Sequence, residues 1–313
     1  MLPGLLVALA LAFQASPSSA IAADSTAPPI RVPATLPMAE QFDLTSKING
    51  RTYRIYLSRP TGAVPPGGYP VLYVLDAYTA FPIAAAQVLL SSAGGPSPAV
   101  VVGIGYPDTM DTSTLRNRDL TPWPSDPSST TPGGKVDDYG GADAFHEFMM
   151  EELRPIVGKI YPVDPHKQAL VGYSLGGLFT LHVMFHHPEA YRTYVAGSPS
   201  IWFDGDKVLQ SEAAFSEAIR TGKAAPRVLI TSDGWEQAED SPDLPPSGEA
   251  RAKEMVQMNA ERMVENAREL AARLQALKGA PGYQVRYVVF PQETHRTGIP
   301  ASTSRAVAFV LAP

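Results

Sequence analysis

Gln168-Ala169-Leu170-Val171-Gly172-Tyr173-Ser174-Leu175-Gly176 is the stretch whose reading decides the fold. Its first four residues predict a short buried strand, apolar from Ala169 onward. From Gly176 to His187 the apolar spacing predicts a helix, which Pro188 stops. A strand, a tight turn and a helix around Gly-x-Ser-x-Gly are the context of a nucleophile elbow, which holds a serine at the tip of the turn. Gly172 and Gly176 flank that serine, where glycine tolerates backbone angles that other residues resist.

Away from the elbow, further β-rich runs fall at 39–46, 51–58, 70–76, 98–105, 193–197, 226–232 and 283–290. Helical runs fall near 80–92, 141–160, 207–220, 254–277 and 300–312. Strands alternating with helices predict an α/β domain with a mostly parallel sheet of about eight strands, covered by helices on both faces. The first two strands have no helix between them, which predicts an antiparallel edge pair. In 141–160, Phe145, Phe148, Met149, Ile156 and Ile160 share one stripe, and Pro155 is expected to bend the helix. In 254–277, Met263, Ala267, Leu270 and Leu274 form the apolar stripe, with Glu and Arg on the opposite side. Two stretches read as long loops: 106–140, which holds five prolines, and the acidic, Pro-rich 237–253. Loops of such length in a compact domain usually serve as lids or insertions.

The composition narrows the function classes. A net charge of −6 leaves no basic surplus to displace counterions, so nucleic-acid binding is not expected. There is no cysteine, which removes disulfides, thiolate metal sites, a cysteine nucleophile and a lipid anchor on an N-terminal cysteine. The apolar segment from Gly4 to Phe13, followed by small residues and Ala20-Ile21-Ala22, reads as a signal peptide over 1–22. It lacks a basic residue ahead of the apolar core, so the natural start codon is open to question. The core falls short of the roughly 20 apolar residues of a spanning helix, so no stable membrane span is expected. Residues 23–38 read as a flexible linker, which leaves 39–313 as a single domain. A periplasmic or secreted protein is therefore expected.

A serine hydroxyl is a weak nucleophile and needs a base within hydrogen-bond reach, itself oriented by an acid. In α/β-hydrolases the three follow in the order Ser, Asp or Glu, His. His146 and His166 precede Ser174, while His182, His186 and His187 lie on its own helix and are carried away from it. His295, just after the last strand, is the remaining histidine and the candidate base. The loop after strand 226–232 offers Asp233 and Glu236 as the acid. Asp233-Gly234 is also a turn dipeptide, which favours Glu236. Candidate oxyanion donors are the backbone amides of Leu175, next to the serine, and of Ala77, after strand 70–76. No metal-ligand spacing, phosphate loop or dinucleotide fingerprint occurs, so neither metal nor cofactor is expected.

Several further stretches carry a family likeness: Tyr69-Pro70-Val71-Leu72-Tyr73-Val74-Leu75-Asp76, Gly103-Ile104-Gly105-Tyr106 and Arg118-Asp119-Leu120-Thr121-Pro122. Others are Gly140-Gly141-Ala142-Asp143-Ala144-Phe145, Ser198-Pro199-Ser200-Ile201-Trp202, Arg262-Met263-Val264-Glu265-Asn266-Ala267 and Glu293-Thr294-His295. With the elbow, these span most of residues 69–295, and the chain resembles the esterase D-like α/β-hydrolases, in particular the siderophore esterases that cleave enterobactin-type trilactones. The resemblance implies Ser174 as nucleophile, His295 as base and Glu236 at the family's acidic position. Two residues depart from the pattern: Tyr173 stands where many relatives have histidine, and Ala77 where glycine often follows the strand-end aspartate.

Arg116 and Arg118 in the long loop, and Trp202 after the strand that follows the elbow helix, are candidate substrate contacts. They would sit at the carboxyl ends of parallel strands, where open α/β sheets bind ligands. A guanidinium and an indole suit an anionic, aromatic ester such as a ferric catecholate. The expected function is an exported serine esterase acting on a small siderophore-like ester through an acyl-enzyme. The alternatives are a feruloyl or acetyl carbohydrate esterase, since one fold serves many acyl groups, and a binding protein on a hydrolase scaffold that has lost catalysis.

Overall fold

Eight strands form one mixed sheet, in the order β1-β2-β4-β3-β5-β6-β7-β8. They are β1 (Ala39–Thr45), β2 (Thr52–Ser58), β3 (Tyr69–Val74), β4 (Val100–Gly105), β5 (Val163–Tyr173), β6 (Thr193–Gly197), β7 (Arg227–Asp233) and β8 (Gln284–Phe290). The computed structural model describes residues 34–36, 38–92, 97–108, 110–124 and 138–312. The expected signal peptide, and the expected linker apart from 34–36 and 38, lie outside the described residues. β1 pairs antiparallel with β2, and β2 antiparallel with β4, while the six strands from β4 to β8 run parallel. The antiparallel edge pair, the strand count and the dominant parallel pairing all follow the expectation from sequence.

Helices cover both faces. Among the described residues these are α1 (Ala77–Ser91), α2 (Thr112–Leu120), α3 (Ala142–Phe148), α4 (Arg154–Ile160), α5 (Leu175–His186), α6 (Glu212–Arg220), α7 (Gly248–Glu261), α8 (Met263–Gln275) and α9 (Gly298–Leu311). On one face α1 and α9 pack together, burying Phe81 and Phe309 with Leu72, Val101 and Val195 of the sheet. On the other, Phe145, Phe148 and Phe179 close over Tyr53, whose ring stacks on Phe148 at 4.3 Å between centroids. Parallel strands buried on both faces need such near-continuous apolar sequence. Among the described residues no helix is long and apolar enough to cross a membrane.

Three local differences from the sequence reading have physical causes. The expected bend at Pro155 takes the form of a π-helical segment, Met149–Leu153, between α3 and α4. Proline cannot donate to the carbonyl one turn back and its ring crowds that carbonyl, so the wider π turn accommodates it. The single helix expected over 254–277 is two, because Arg262 takes a left-handed conformation (φ 47°, ψ 40°) that ends α7 and starts α8. Residues 248–253 of the expected loop 237–253 form the start of α7. Within 106–140, expected as loop, α2 carries no apolar stripe to announce it; its start is fixed by the Asp111 side chain, which accepts from the Thr114 amide at 3.2 Å.

Candidate active site

The elbow forms between β5 and α5. Ser174 has φ 60° and ψ −120°, the angles of the first central residue of a type II′ turn and rare for any residue with a side chain. Its amide donates to the Gly197 carbonyl at 2.9 Å, and its carbonyl accepts from Leu178 at 2.9 Å and Ser200 at 3.2 Å. These bonds tie the strained residue to β6 and α5. A Cβ on Gly172 would lie 2.0 Å from the Gly176 carbonyl oxygen, so position 172 admits no side chain. On the far side the demand falls on Gly177, whose Cβ would meet the Gly197 oxygen at 2.8 Å, whereas one on Gly176 would make ordinary contact at 3.5 Å. The steric need expected of the Gly176 flank is thus met one residue later.

Glu236 stands in the 3₁₀ turn Gly234–Gln237 that follows β7. Its carboxylate is buried and takes three donors. Ser198 Oγ donates to it, the Asp233 amide donates at 3.0 Å, and His295 Nδ1 lies 2.5 Å from Oε1. The third partner, Ser198, was visible in the sequence only as part of Ser-Pro-Ser; it sits at the end of β6 with a positive φ of 34°. With the Nδ1 hydrogen engaged by Glu236, a neutral His295 presents its Nε2 lone pair.

Asp233 does not reach that position. It is fully buried, its Oδ2 is in hydrogen-bond contact with the Tyr173 hydroxyl, and it packs on Gly298, where a Cβ would lie 2.1 Å from its carboxyl atoms. Burial pushes its carboxyl up to about 7; the Tyr173 hydrogen bond opposes this and the Glu236 charge adds to it. Burial first, and the Glu236 and Asp233 charges after it, raise the Tyr173 phenol far above its ordinary range.

Ser174 and His295 line the same two adjoining hollows. One, of about 840 Å³, runs past Asp76, Ala77, Tyr78 and Arg116. The smaller, of about 190 Å³, is walled by Trp202, Trp235, Met258 and Met263, with Asp243, Glu254 and Glu261 at its rim. Ser174 Oγ has Ser200 Oγ at 3.4 Å, and among the described residues it makes no hydrogen bond to His295. Unliganded catalytic contacts are commonly long and tighten on substrate. Leu175 and Ala77 are the first residues of α5 and α1, so their amides have no acceptor within their own helices.

The other sequence candidates divide. Trp202 is half-buried at the smaller hollow, its indole N–H on Met263 Sδ at 3.1 Å. Arg116 lines the larger hollow, but its guanidinium is engaged by Asp76, with Nε–Oδ1 at 2.6 Å and Nη2–Oδ2 at 2.9 Å. Asp76 precedes Ala77 and has left-handed angles itself (φ 54°, ψ 47°), so this forked pair braces the start of α1. Arg118 is exposed and lines neither hollow; the adjacent Asp119 is buried and paired with Arg51. Among the described residues no group of three or more His, Asp or Glu is arranged to hold a metal ion.

Comparison with known proteins bears on this site. Residues 46–218 match the Esterase family model, whose description is "Putative esterase". The chain is 34% identical over 285 residues to the ferri-bacillibactin esterase BesA of Bacillus subtilis, covering 89% of this chain and 91% of that one. It is 32% identical over 257 residues to the siderophore triacetylfusarinine C esterase of Aspergillus fumigatus, covering 77% and 83% respectively. Among solved structures, the siderophore hydrolase EstB from Aspergillus nidulans superposes with a TM-score of 0.75 at 28% identity, over 90% of this chain and 97% of that one. The BES protein from Bacillus cereus gives a TM-score of 0.73 at 28% identity, over 92% and 100%. The mixed sheet of eight strands is thus the α/β-hydrolase arrangement.

Proposed function

This chain belongs to the Esterase family, and from that premise we propose that it is an exported serine hydrolase that cleaves siderophore-type esters through an acyl-enzyme. Hydrolysis of carboxylic esters follows from the family; the serine mechanism, the substrate and the export are our reading. The observation that carries the mechanism is the buried Glu236 carboxylate 2.5 Å from His295 Nδ1, with His295 and Ser174 lining one cleft.

In this reading Ser174 Oγ attacks the ester carbonyl carbon while His295 Nε2 takes the hydroxyl proton. Glu236 holds the imidazole in the tautomer that can accept it and stabilises the imidazolium that forms. The negative charge on the former carbonyl oxygen is met by the amides of Leu175 and Ala77, donors already in place before the charge develops. The C–O bond to the alcohol breaks, and that oxygen leaves with the proton from His295. Water then attacks the acyl-serine by the same route, releasing the acid and restoring Ser174. Two adjoining hollows on either side of the serine suit a substrate whose acyl and alcohol portions both extend beyond the ester. The named activities of the relatives support a siderophore ester as that substrate.

A fluorophosphonate probe tests the nucleophile: it should label the wild type and fail to label Ser174→Ala at equal fold content. Equal labelling of both would end the reading. Turnover of a panel of trilactone, feruloyl and acetyl-sugar esters should favour the trilactones; a preference for either sugar-linked class would reassign the substrate. Mass spectrometry of the protein from its native host should find cleavage after Ala20 or Ala22, and an intact Met1 would refute export by this segment.

A further inference from the structure

Tyr173 Oη lies against two acceptors. It contacts Asp233 Oδ2, and the carbonyl oxygen of His295 is 2.9 Å away. A phenol carries one hydrogen. If both partners were bare acceptors, one short polar contact would set lone pair against lone pair in a buried site. A carbonyl cannot supply the missing hydrogen, whereas a carboxyl can. Beyond the Glu236 amide that its side chain caps, the buried Asp233 carboxyl has no further backbone donor, and Oδ1 is left without a hydrogen-bond partner among the described residues, which a neutral carboxyl tolerates far better than an anion.

We infer that Asp233 is a positioning residue: its protonated carboxyl donates to Tyr173 Oη, and Tyr173 in turn donates to the His295 carbonyl, fixing the loop that presents the imidazole. The inference rests on His295 being the base. It accounts for a second buried acid three residues from Glu236 that touches neither ring nitrogen. It also gives a role to Tyr173, the residue next to the nucleophile in the chain. The other groups bearing on the carboxyl are Glu236 and Glu293, whose charges favour the proton, and His295, whose charge opposes it. Gly298, the first residue of α9, leaves the space the carboxyl fills.

The proton has a consequence for rate. As pH rises through about 7, Asp233 loses its hydrogen, the phenolic hydrogen turns to the new carboxylate, and the His295 carbonyl loses its donor. Turnover should therefore fall on the alkaline side.

Steady-state kinetics of the full chain across pH, corrected for spontaneous ester hydrolysis, test this. Tyr173→Phe should lower kcat about tenfold, the worth of one hydrogen bond, with KM changed less than about twofold. Asp233→Leu should lose a similar factor. Asp233→Asn, whose amide N–H can donate to Tyr173 at any pH, should recover most of that loss and lack the alkaline fall. An unchanged kcat in Tyr173→Phe, or an alkaline fall retained in Asp233→Asn, would overturn the inference. A second readout needs no catalysis. Asp233 holds its proton more tightly folded than unfolded, so the native state binds the extra proton from about pH 4 to pH 7. Stability from this group is full below that window and lost as pH rises through it. The Tm of wild type minus that of Asp233→Asn should fall across the window and be flat on either side; a constant difference would refute the bound proton. If the serine mechanism itself were wrong, probe labelling of the wild type would fail while this thermal comparison still reported on the proton.

Discussion

Glu236 Oε1 and His295 Nδ1 are 2.5 Å apart, with the carboxylate side chain 2% exposed and the imidazole 40% exposed. One partner is held inside the protein and the other stands at the cleft. Replacing Glu236 by glutamine leaves the shape but offers an amide where the imidazole needs an acceptor. Glu236→Gln should cost at least roughly a hundredfold in kcat, and Asp233→Asn much less. The reverse order in steady-state assays would move the acid to Asp233. Near-wild-type rates in both variants and in the double variant would indicate a Ser174–His295 dyad.

Arg116 offers a separate test. Its forked pair with Asp76 is partly buried, and removing the guanidinium leaves a carboxylate beside the α1 amide expected to meet the oxyanion. Arg116→Ala should destabilise the fold by at least about 2 kcal/mol in urea titration. It should also slow neutral and anionic esters by the same factor. A loss confined to anionic esters would instead make Arg116 a substrate contact. Arg118→Ala, outside both hollows, should leave the ratio of anionic to neutral turnover unchanged.

The elbow glycines should separate by position. Gly172→Ala forces a methyl against a backbone oxygen 2.0 Å away and should cost about 3 kcal/mol or more. Gly176→Ala has room and lies in a helix, where alanine is favoured by up to about 1 kcal/mol. Equal effects on Tm from the two substitutions would contradict the packing described around β5 and α5.

Much of this arrangement was legible in the sequence, for reasons particular to certain residues. Ser174 was readable because strand, turn and helix are local patterns. His295 was readable because chain order left one histidine beyond the elbow helix. The choice between Asp233 and Glu236 was harder, since order along the chain admits both. The 3₁₀ turn aims the longer side chain at the imidazole and folds the shorter one under Tyr173, which favours Glu236. The pairing of Arg116 was hidden because its partner, Asp76, lies 40 residues earlier in the chain, just after β3. Helix α2 was hidden for a related reason: a polar helix held by its cap and ion pairs carries no apolar period to detect. The Ser198 contact with Glu236 depends on a positive φ that no local sequence rule assigns to serine.

The backbone at Ser174 sets evolution a standing conflict. Angles of 60° and −120° suit glycine, and holding a serine there costs about 1–3 kcal/mol. Ser174→Gly should therefore melt slightly higher than wild type, once about 1 kcal/mol of glycine's extra unfolded-state entropy is deducted, and should have no esterase activity. A lineage selected only for heat resistance would be drawn toward that inert form. On the proposed mechanism, continued demand for the chemistry keeps a hydroxyl at this strained point of the backbone.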